Sequence, residues 1–200
     1  MEERAQRIVE TAIELAEKGG FEAVRLRDVA ADAGVALGTL YRRFRSKEDL
    51  LIAALEIETT ALEGRILERI PEGRTPLERV AGFFKLATRG LCRRPNLARA
   101  CIRAAAYGDP ELANRVASFQ HRIEALTIAA LRGRLLVAGE TPRKFDHEVA
   151  SMLQLVWFAS LVAWSGDLHD QTTVIAQTRK AAELMLASRP PESLTAGSGS

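Results

Sequence analysis

The sequence predicts an all-α fold of about nine helices. Apolar residues recur with the 3.6-residue spacing of a helix along most of the chain, and no segment shows the strict alternation of a half-buried strand. Helix starts, such as Thr or Asp followed by Pro, recur between glycines that favour helix ends. Hydrophobic residues make up 47% and charged residues 27% of the 200 residues, which is an ordinary globular composition. A wholly disordered chain is therefore excluded.

The first half of the chain predicts three shorter helices and then a long one. Ile8, Ala12 and Leu15 or Ala16 share one face of the first helix. Ser46 has the position of an N-cap with Asp49 at the third helical residue, which is the capping-box pattern. The predicted boundaries are a first end at Gly19 and Gly20, a second helix over 28–33 that stops at Gly34, a third over 37–44, and a fourth from Ser46 to about residue 70.

The second half predicts five further helices from the same kinds of signal. An N-cap residue before proline satisfies a free backbone donor and fixes φ for the first helical turn. The predicted starts are Thr75 with Pro76, Pro95, Asp109 with Pro110, Thr141 with Pro142, and Asp170 or Thr172, and the predicted stops include Gly139 and Gly166. We expect an N-terminal domain over 1–46, a second domain over 47–189 and a flexible Pro/Gly/Ser-rich tail over 190–200.

Targeting signals are not apparent in the sequence. The N-terminus carries acidic residues from its second position, unlike a signal peptide, and no run of about 18 apolar residues suggests a membrane span. We expect a cytoplasmic protein that does not enter a membrane. Cys92 and Cys101 lie nine residues apart without a CxxC pattern, so we expect free thiols.

Residues 28–44 predict a helix-turn-helix motif for DNA binding. Gly34 lies between the two short helices, where the turn requires a positive φ. The second helix begins with small side chains that could approach base edges closely, namely Ala36, Leu37, Gly38 and Thr39. Donors for DNA phosphates follow, namely Tyr41, Arg42, Arg43, Arg45 and Lys47. Residues 25–47 hold six basic residues against two acidic ones, which favours binding to a polyanion.

The segment VRLRDVAADAGVALGTLYRRFRSKEDLL resembles the DNA-binding part of the TetR family of bacterial repressors, including its GTLYxxFxSKxxLL core. The resemblance covers about residues 5–55, and the remaining helical chain fits the family's ligand-binding and dimerisation domain. It implies a double-stranded, palindromic DNA operator as partner. It also implies roles for single residues: Leu37, Gly38 and Thr39 at the groove, Tyr41, Lys47 and Arg27 on phosphates, and Arg42 and Arg43 on either bases or phosphates.

Some residues of this segment are expected to be structural. Val29, Leu40 and Phe44 are predicted to form the core of the small domain rather than to contact DNA. Arg25 stands where the family often has a Ser or Thr N-cap before the second helix, a change that removes about 1 kcal/mol of capping. The same arginine offers an additional donor for a DNA phosphate.

The helix predicted over 142–165 is apolar on nearly all sides, which predicts burial on more than one face. Packing against a second subunit would bury it, and the resemblance implies a homodimer formed by the last two long helices. A two-fold dimer also suits DNA binding, because two recognition helices must reach half-sites about 34 Å apart.

A ligand cavity is expected among the alanine-rich middle helices, which would leave room for a hydrophobic small-molecule effector. The candidate lining residues are Phe83, Phe84, Ala87, Leu91, Ile102, Tyr107, Phe119, Ile123, Leu126, Gln154, Trp157 and Trp164. Seven basic residues and no acidic one lie between Glu78 and Asp109. They predict either a solvated basic face or, through Arg99 and Arg103, contacts to a carboxylate or CoA phosphate.

Within the family, the segments RACIRAAAYGDPELA and VWFASLVAW are similar to actinobacterial regulators of sterol and cholesterol catabolism. This similarity implies a ketosteroid or a steroid-CoA thioester as effector. A fatty acyl-CoA thioester or another hydrophobic catabolite is the main competing candidate. A regulator of efflux or stress genes that responds to diverse hydrophobic compounds is the alternative. An enzyme or a carrier of hydrophobic ligands is disfavoured: the chain has no GxGxxG, P-loop, GxSxG, HExxH or Glu-x-x-His pattern, and His121, His147 and His169 do not suggest a metal site. A passive architectural protein would not need so large an apolar domain.

Overall fold

The computed structural model describes residues 3–137 and 139–188. Within them the chain forms nine α-helices, one short 3₁₀ helix and no strand, which confirms the all-α prediction. The helices are α1 (Glu3–Ala23), α2 (Leu26–Asp32), α3 (Leu37–Tyr41), α4 (Lys47–Glu68), α5 (Pro76–Leu91), α6 (Pro95–Ala106), α7 (Ala113–Arg132), α8 (Lys144–Ser165) and α9 (Gln171–Ala187), with the 3₁₀ helix over Pro110–Leu112. The tail predicted over 190–200 lies outside the described residues.

Glycines end or interrupt helices where the backbone leaves the right-handed helical region. Gly20 has φ 67° and ψ −159°, so α1 breaks there as predicted, but a last turn continues the helix to Ala23. Gly34 has φ +65°, as the turn between α2 and α3 requires. The two short helices begin or end up to three residues away from the predicted boundaries, because the turns that flank them continue the helical backbone.

The predicted N-caps of three helices are confirmed by hydrogen bonds. The side chain of Ser46 accepts from the Asp49 amide of α4, Thr75 accepts from the Glu78 amide of α5, and Asp170 accepts from the Thr173 amide of α9. Arg25 precedes α2 without a side-chain cap, as its sequence position indicated. Local sequence therefore determines where these helices begin.

The connection between α7 and α8 differs from the prediction in two places. Gly133, which has φ 69°, follows the last residue of α7 and ends the helix. The predicted stop, Gly139, lies six residues later. α8 begins at Lys144, and neither Thr141 nor Pro142 starts it. The carboxylate of Glu140 accounts for this: it binds Arg134 and the Val137 amide, and it pairs with Arg132, so the loop has its own structure.

The Asp109 and Pro110 pair also acts differently from the prediction. Asp109 accepts a hydrogen bond from the Glu111 amide, but the turn that it caps is the 3₁₀ helix. α7 follows directly at Ala113, without a side-chain cap of its own. The predicted start of α7 is therefore correct to within about one turn.

The first half of α4 is the centre of the core. Residues 50–55 are six consecutive residues that are each at most 5% exposed, so this part of the helix is enclosed on every side. α1, α6 and α7 pack around it. The Cys101 thiol on α6 donates to the Leu51 carbonyl at 3.4 Å. Helix α4 therefore joins the N-terminal helices to the rest of the chain through buried contacts.

Both cysteines are free and buried, in agreement with the prediction. Burial raises the pKa of the Cys92 thiol and of the Cys101 thiol to about 12. Neither thiol is therefore appreciably ionised near neutral pH.

Helices α5 and α8 are joined by a buried polar contact inside the larger bundle. The Trp157 indole N–H donates to the Thr88 hydroxyl at 2.9 Å, and both residues are at most 2% exposed. The Trp157 ring also lies 5.6 Å from the Phe84 ring, which in turn makes an edge contact with Phe83. This cluster fixes the separation of the two helices.

Helix α8 leaves an apolar stripe uncovered. It packs against α6, α7 and α9, but Met152, Leu155 and Val162 are 51%, 57% and 37% exposed at a spacing that places them on one face. By length and composition α8 is also the one helix of the described residues that could cross a membrane, with a mean hydropathy of 1.3 over an 18-residue window. The core helix of a globular protein meets the same criteria. An apolar stripe of this kind is typical of a surface that packs against another molecule.

Substituting Thr88 with Val should destabilise the protein by about 1–3 kcal/mol, because the buried Trp157 N–H loses its acceptor. Thr127→Val is the matched control: Thr127 is equally buried in α7, and its hydroxyl bonds only to the Ile123 carbonyl. The control should cost at most about 1 kcal/mol, since it leaves no donor unpaired. Urea denaturation measures both, and equal losses would contradict the role assigned to the indole contact.

Candidate DNA-binding surface and effector cavity

Helices α2 and α3 form the predicted helix-turn-helix. The Gly34 amide donates to Ala31 and the Val35 amide to Ala30, which closes the turn after α2. The predicted core residues Val29, Leu40 and Phe44 are buried, at 0%, 0% and 7% exposure. Their burial fixes the orientation of α3, so the opposite side of α3 is presented to solvent.

The structure places most of the predicted DNA-contacting residues on this open side. Thr39 is half-buried, and its hydroxyl accepts a hydrogen bond from Arg42 at 2.9 Å. Tyr41 is 51% exposed, which is unusual for an aromatic side chain without a partner surface. The other predicted contacts are exposed or half-buried, namely Arg27, Ala36, Leu37, Gly38, Arg42 and Arg43.

Lys47, the predicted phosphate ligand at the start of α4, is already engaged within the chain. Its ammonium lies 3.4 Å from the Glu22 carboxylate and 3.9 Å from the centre of the Phe21 ring. The hydrogen bond and charge of Lys47, with a further contribution from Arg103, hold the pKa of Glu22 below its usual range. A DNA phosphate would have to compete with Glu22 for this lysine.

Arg45, counted among the phosphate donors in the sequence, also has a partner. Its guanidinium pairs with Glu111 at 2.6 Å, across a sequence separation of 66 residues. Both side chains are exposed, so the pair is solvated. Sequence alone could not show this contact, because Glu111 precedes a distant helix.

A small apolar cavity lies between α4, α5, α7 and α8. Its volume is about 30 Å³, enough for about two water molecules. This is far smaller than the sizeable cavity that the alanine-rich sequence predicts, because large side chains such as Phe119 and Trp157 fill the space. The lining residues are Leu55, Glu58, Thr59, Ala61, Leu62, Arg65, Ala87, Gly90, Leu91, Phe119, Ile123 and Trp157.

The predicted ligand-binding residues divide into groups. Of the eleven principal candidates, four line the central cavity, namely Leu91, Phe119, Ile123 and Trp157. Leu126 lines an open groove along α7 instead, and Phe84 is buried behind Trp157. Gln154 is buried in α8 and lines neither. The other four, Arg99, Ile102, Arg103 and Tyr107, lie together in a separate surface groove.

That separate groove is formed by α1, α6 and the end of α8, with a volume of about 640 Å³. Both of its arginines have carboxylate partners. Arg99 binds both oxygens of Asp167, at 2.8 and 2.5 Å, and Arg103 lies 3.0 Å from Glu22. The groove shares no lining residue with the central cavity. An anion bound at these arginines would therefore not contact the central cavity directly.

Half of the central cavity is formed by α4, which the sequence analysis did not include. Leu55, Thr59 and Leu62 face the cavity at helical spacing, and Arg65 lies at its edge. The Arg65 side chain lies over Gly90 of α5. A Cβ atom added at Gly90 would be 3.5 Å from the Arg65 guanidinium. The polar residue Thr59 within an otherwise apolar stripe of α4 is the sequence signal that could have predicted this wall of the cavity.

The fold and the site together define a helix-turn-helix DNA-binding regulator with an apolar cavity in its larger helical part. Comparison with protein families specifies the class. Residues 8–54 match the N-terminal model of the tetR family of bacterial regulatory proteins, and residues 73–185 match the model of the tetracyclin repressor-like C-terminal domain. The chain belongs to the TetR family, as the sequence resemblance indicated, and it is a transcriptional repressor of that type.

Curated relatives match nearly the whole chain. The HTH-type transcriptional repressor KstR of Rhodococcus jostii is 36% identical over 192 residues, which cover 95% of this chain and 87% of the relative. KstR of Mycobacterium tuberculosis is 32% identical and covers 92% and 81% of the two chains. Both relatives are transcriptional repressors of the helix-turn-helix type.

A solved structure has the same fold over nearly its whole length. A TetR transcriptional regulator from Rhodococcus sp. RHA1 aligns with a TM-score of 0.80 and 26% identity, covering 94% of this chain and 97% of that one. FadR of Thermus thermophilus, in complex with lauroyl-CoA, aligns with a TM-score of 0.66 at 21% identity, covering 98% and 100%. The second similarity supports the fold alone.

Replacing Lys47 with Ala should weaken binding to every DNA sequence about equally, because a phosphate contact carries no sequence information. The slope of the logarithm of affinity against the logarithm of salt concentration should become shallower by about one. Thr39→Ala should instead change which operator sequence is preferred. Fluorescence anisotropy on operator and scrambled DNA measures both effects, with Lys180→Ala, an exposed lysine of α9, as control. A change of sequence preference in the Lys47 variant would contradict the assignment.

Proposed function

We propose that this protein represses genes of lipid or steroid catabolism, binds a palindromic operator as a homodimer and leaves it when a hydrophobic effector binds. The observation that carries this proposal is the position of α4. Its first turn follows the helix-turn-helix, and its second half forms one wall of the apolar cavity. Occupation of the cavity and the orientation of α3 are thereby connected through one helix.

The DNA contacts that we propose follow the open side of the helix-turn-helix. Leu37, Gly38 and Thr39, with Ala36 before them, would meet base edges in the major groove. Phosphates would be bound by Arg27, Tyr41 and Lys47, and Arg42 and Arg43 would contact phosphates or bases. A location in the cytoplasm, where the DNA is, accords with this role and with the repressor relatives.

The proposed dimer is supported by the uncovered stripe on α8. Met152, Leu155 and Val162 would pack against their counterparts, together with exposed Leu184 of α9. A two-fold interface is self-complementary, so one apolar stripe suffices for both subunits. It also places two recognition helices on the same molecule, as a palindrome requires.

The effector that we propose is a steroid or fatty acyl-CoA thioester. The apolar lining of the central cavity favours a hydrophobic ligand. The similarity of the sequence to regulators of sterol and cholesterol catabolism favours a steroid within that class. FadR of Bacillus subtilis, which has the same fold, was solved with stearoyl-CoA. Drug-sized ligands occupy about 300–1,000 Å³, so a cavity of 30 Å³ must expand on binding.

Arg65 is the residue that we propose for the anionic part of such a ligand. It is the basic residue on the cavity lining, and it lies at the exposed edge between α4 and α5. Arg99 and Arg103, proposed from the sequence, would have to exchange Asp167 and Glu22 for the ligand. The cost of breaking these pairs favours Arg65.

Release from DNA would follow from a shift in population. We infer that the small cavity belongs to the DNA-binding conformation, so that an effector that fits only an expanded cavity favours a second conformation. A shift from mostly bound to mostly free requires a preference of about 5.5 kcal/mol for that conformation. We propose that the effector relieves repression.

Leu155→Glu should dissociate the dimer, because it places two charges inside an apolar two-fold interface. Sedimentation equilibrium should show a particle of 21.9 kDa for the variant and of twice that mass for the wild type. Leu67→Glu is the matched control, since Leu67 is 62% exposed on α4, away from the stripe. Dissociation by the control and not by Leu155→Glu would place the interface elsewhere.

Stearoyl-CoA and a steroid-CoA thioester should each be tested for release of a bound operator fragment. We expect release by at least one of them, and Arg65→Gln should weaken that ligand about tenfold, since it loses a charge-assisted contact. The double variant Arg99→Gln, Arg103→Gln should leave the affinity within about threefold. Release by unrelated hydrophobic drugs and not by thioesters would favour a regulator of efflux or stress genes.

A further inference from the structure

The beginning of α7 is attached to the segment that joins the recognition helix to α4. This segment, residues 42–49, contains the last turn after α3, the N-cap Ser46 and the first turn of α4. Two side chains from the start of the larger bundle reach it, Glu111 and Arg115. We call residues 42–49 the junction.

Arg115 contacts the junction at Asp49. Its guanidinium donates to the Asp49 carboxylate and, at 3.3 Å, to the Asp49 carbonyl. It also donates to both oxygens of Glu56, at 2.9 and 2.7 Å. The Asp49 side chain is only 10% exposed, and that of Arg115 is 31% exposed. Ion pairs with this burial and a forked geometry fix orientation better than exposed pairs do.

Asp49 connects Arg115 to the backbone of the junction. Its second carboxylate oxygen accepts the Arg45 amide at 3.0 Å, and its own amide donates to Ser46. On the outside, the Arg45 side chain pairs with Glu111. One short stretch of the larger bundle therefore holds the junction at its backbone and at the Arg45 side chain, in addition to the contacts of Lys47 with Glu22 and Phe21 of α1.

We propose that Arg115 is a positioning residue for DNA binding: through Asp49 it holds the junction, and with it the recognition helix, in the orientation that fits DNA. The proposal rests on the DNA-binding surface proposed above. Arg115 acts without touching DNA. Phe119, one helical turn further along α7, lines the effector cavity, so the same stretch of α7 contacts both sites.

Arg122 offers a matched control on the same helix. It lies two turns further along α7, with a side chain that is 28% exposed, and it binds both oxygens of Glu63 and the Thr60 hydroxyl on α4. Arg122→Met therefore removes the same charge and a similar fork from the α4–α7 contact. It leaves the junction untouched.

The test compares Arg115→Met, Arg115→Lys and Arg122→Met for operator binding by fluorescence anisotropy over a range of salt concentrations. We expect Arg115→Met to weaken operator binding at least tenfold with an unchanged salt slope. Arg115→Lys, which keeps the charge but loses the fork, should fall between this variant and the wild type. Arg122→Met should stay within threefold of the wild type.

Hydrogen–deuterium exchange of the free protein gives a readout that does not depend on DNA. Amides of residues 42–49 should exchange at least fivefold faster in Arg115→Met than in Arg122→Met. If Arg115→Met does not fold, the same comparison with Arg115→Lys decides. If the junction exchanges faster in Arg115→Met but the wild type does not bind the operator, the positioning contact is upheld and the proposed function is refuted.

Three outcomes would overturn the proposal. Equal losses of operator affinity in Arg115→Met and Arg122→Met would indicate a general effect of charge. A salt slope reduced by about one in Arg115→Met would make Arg115 a direct phosphate contact. Wild-type affinity and wild-type exchange of the junction in Arg115→Met would show that the junction is held by other contacts.

Discussion

The complete burial of the first half of α4 is the constraint on which the rest of the structure depends. Residues 50–55 have neighbours on every side, so this part of the helix cannot move without disturbing α1, α6 and α7. Interiors packed in this way transmit displacement rather than absorb it. The ends of α4 are different, since one carries the junction and the other borders the small cavity. A buried stretch between the junction and the cavity wall makes α4 the rigid connection between the two.

Local signals in the sequence predicted the helix-turn-helix and most helix starts. Gly34 must adopt a positive φ, and Ser46, Thr75 and Asp170 each satisfy a backbone donor within three residues. Such interactions are readable because both partners lie close together in the chain. The predicted core of the small domain was correct for the same reason: its apolar residues repeat at helical spacing.

Features that depend on distant partners could not be predicted. The loop after α7 is organised by Glu140 and its arginines, so Gly133 and not Gly139 ends the helix. Arg99 binds Asp167 across a separation of 68 residues, an ion pair that no local pattern in the sequence indicates. The wall that α4 contributes to the cavity was also missed, because the rotation of a helix about its axis is decided by tertiary packing.

The burial of the two cysteines restricts the kinds of signal to which this regulator can respond. Oxidation by peroxides begins with the thiolate, and a thiol whose pKa is about 12 provides very little of it at neutral pH. The Cys101 thiol in addition donates a hydrogen bond to a carbonyl of α4. Oxidation of these two thiols would therefore be slow while the fold is intact, and neither cysteine is suited to sense peroxide.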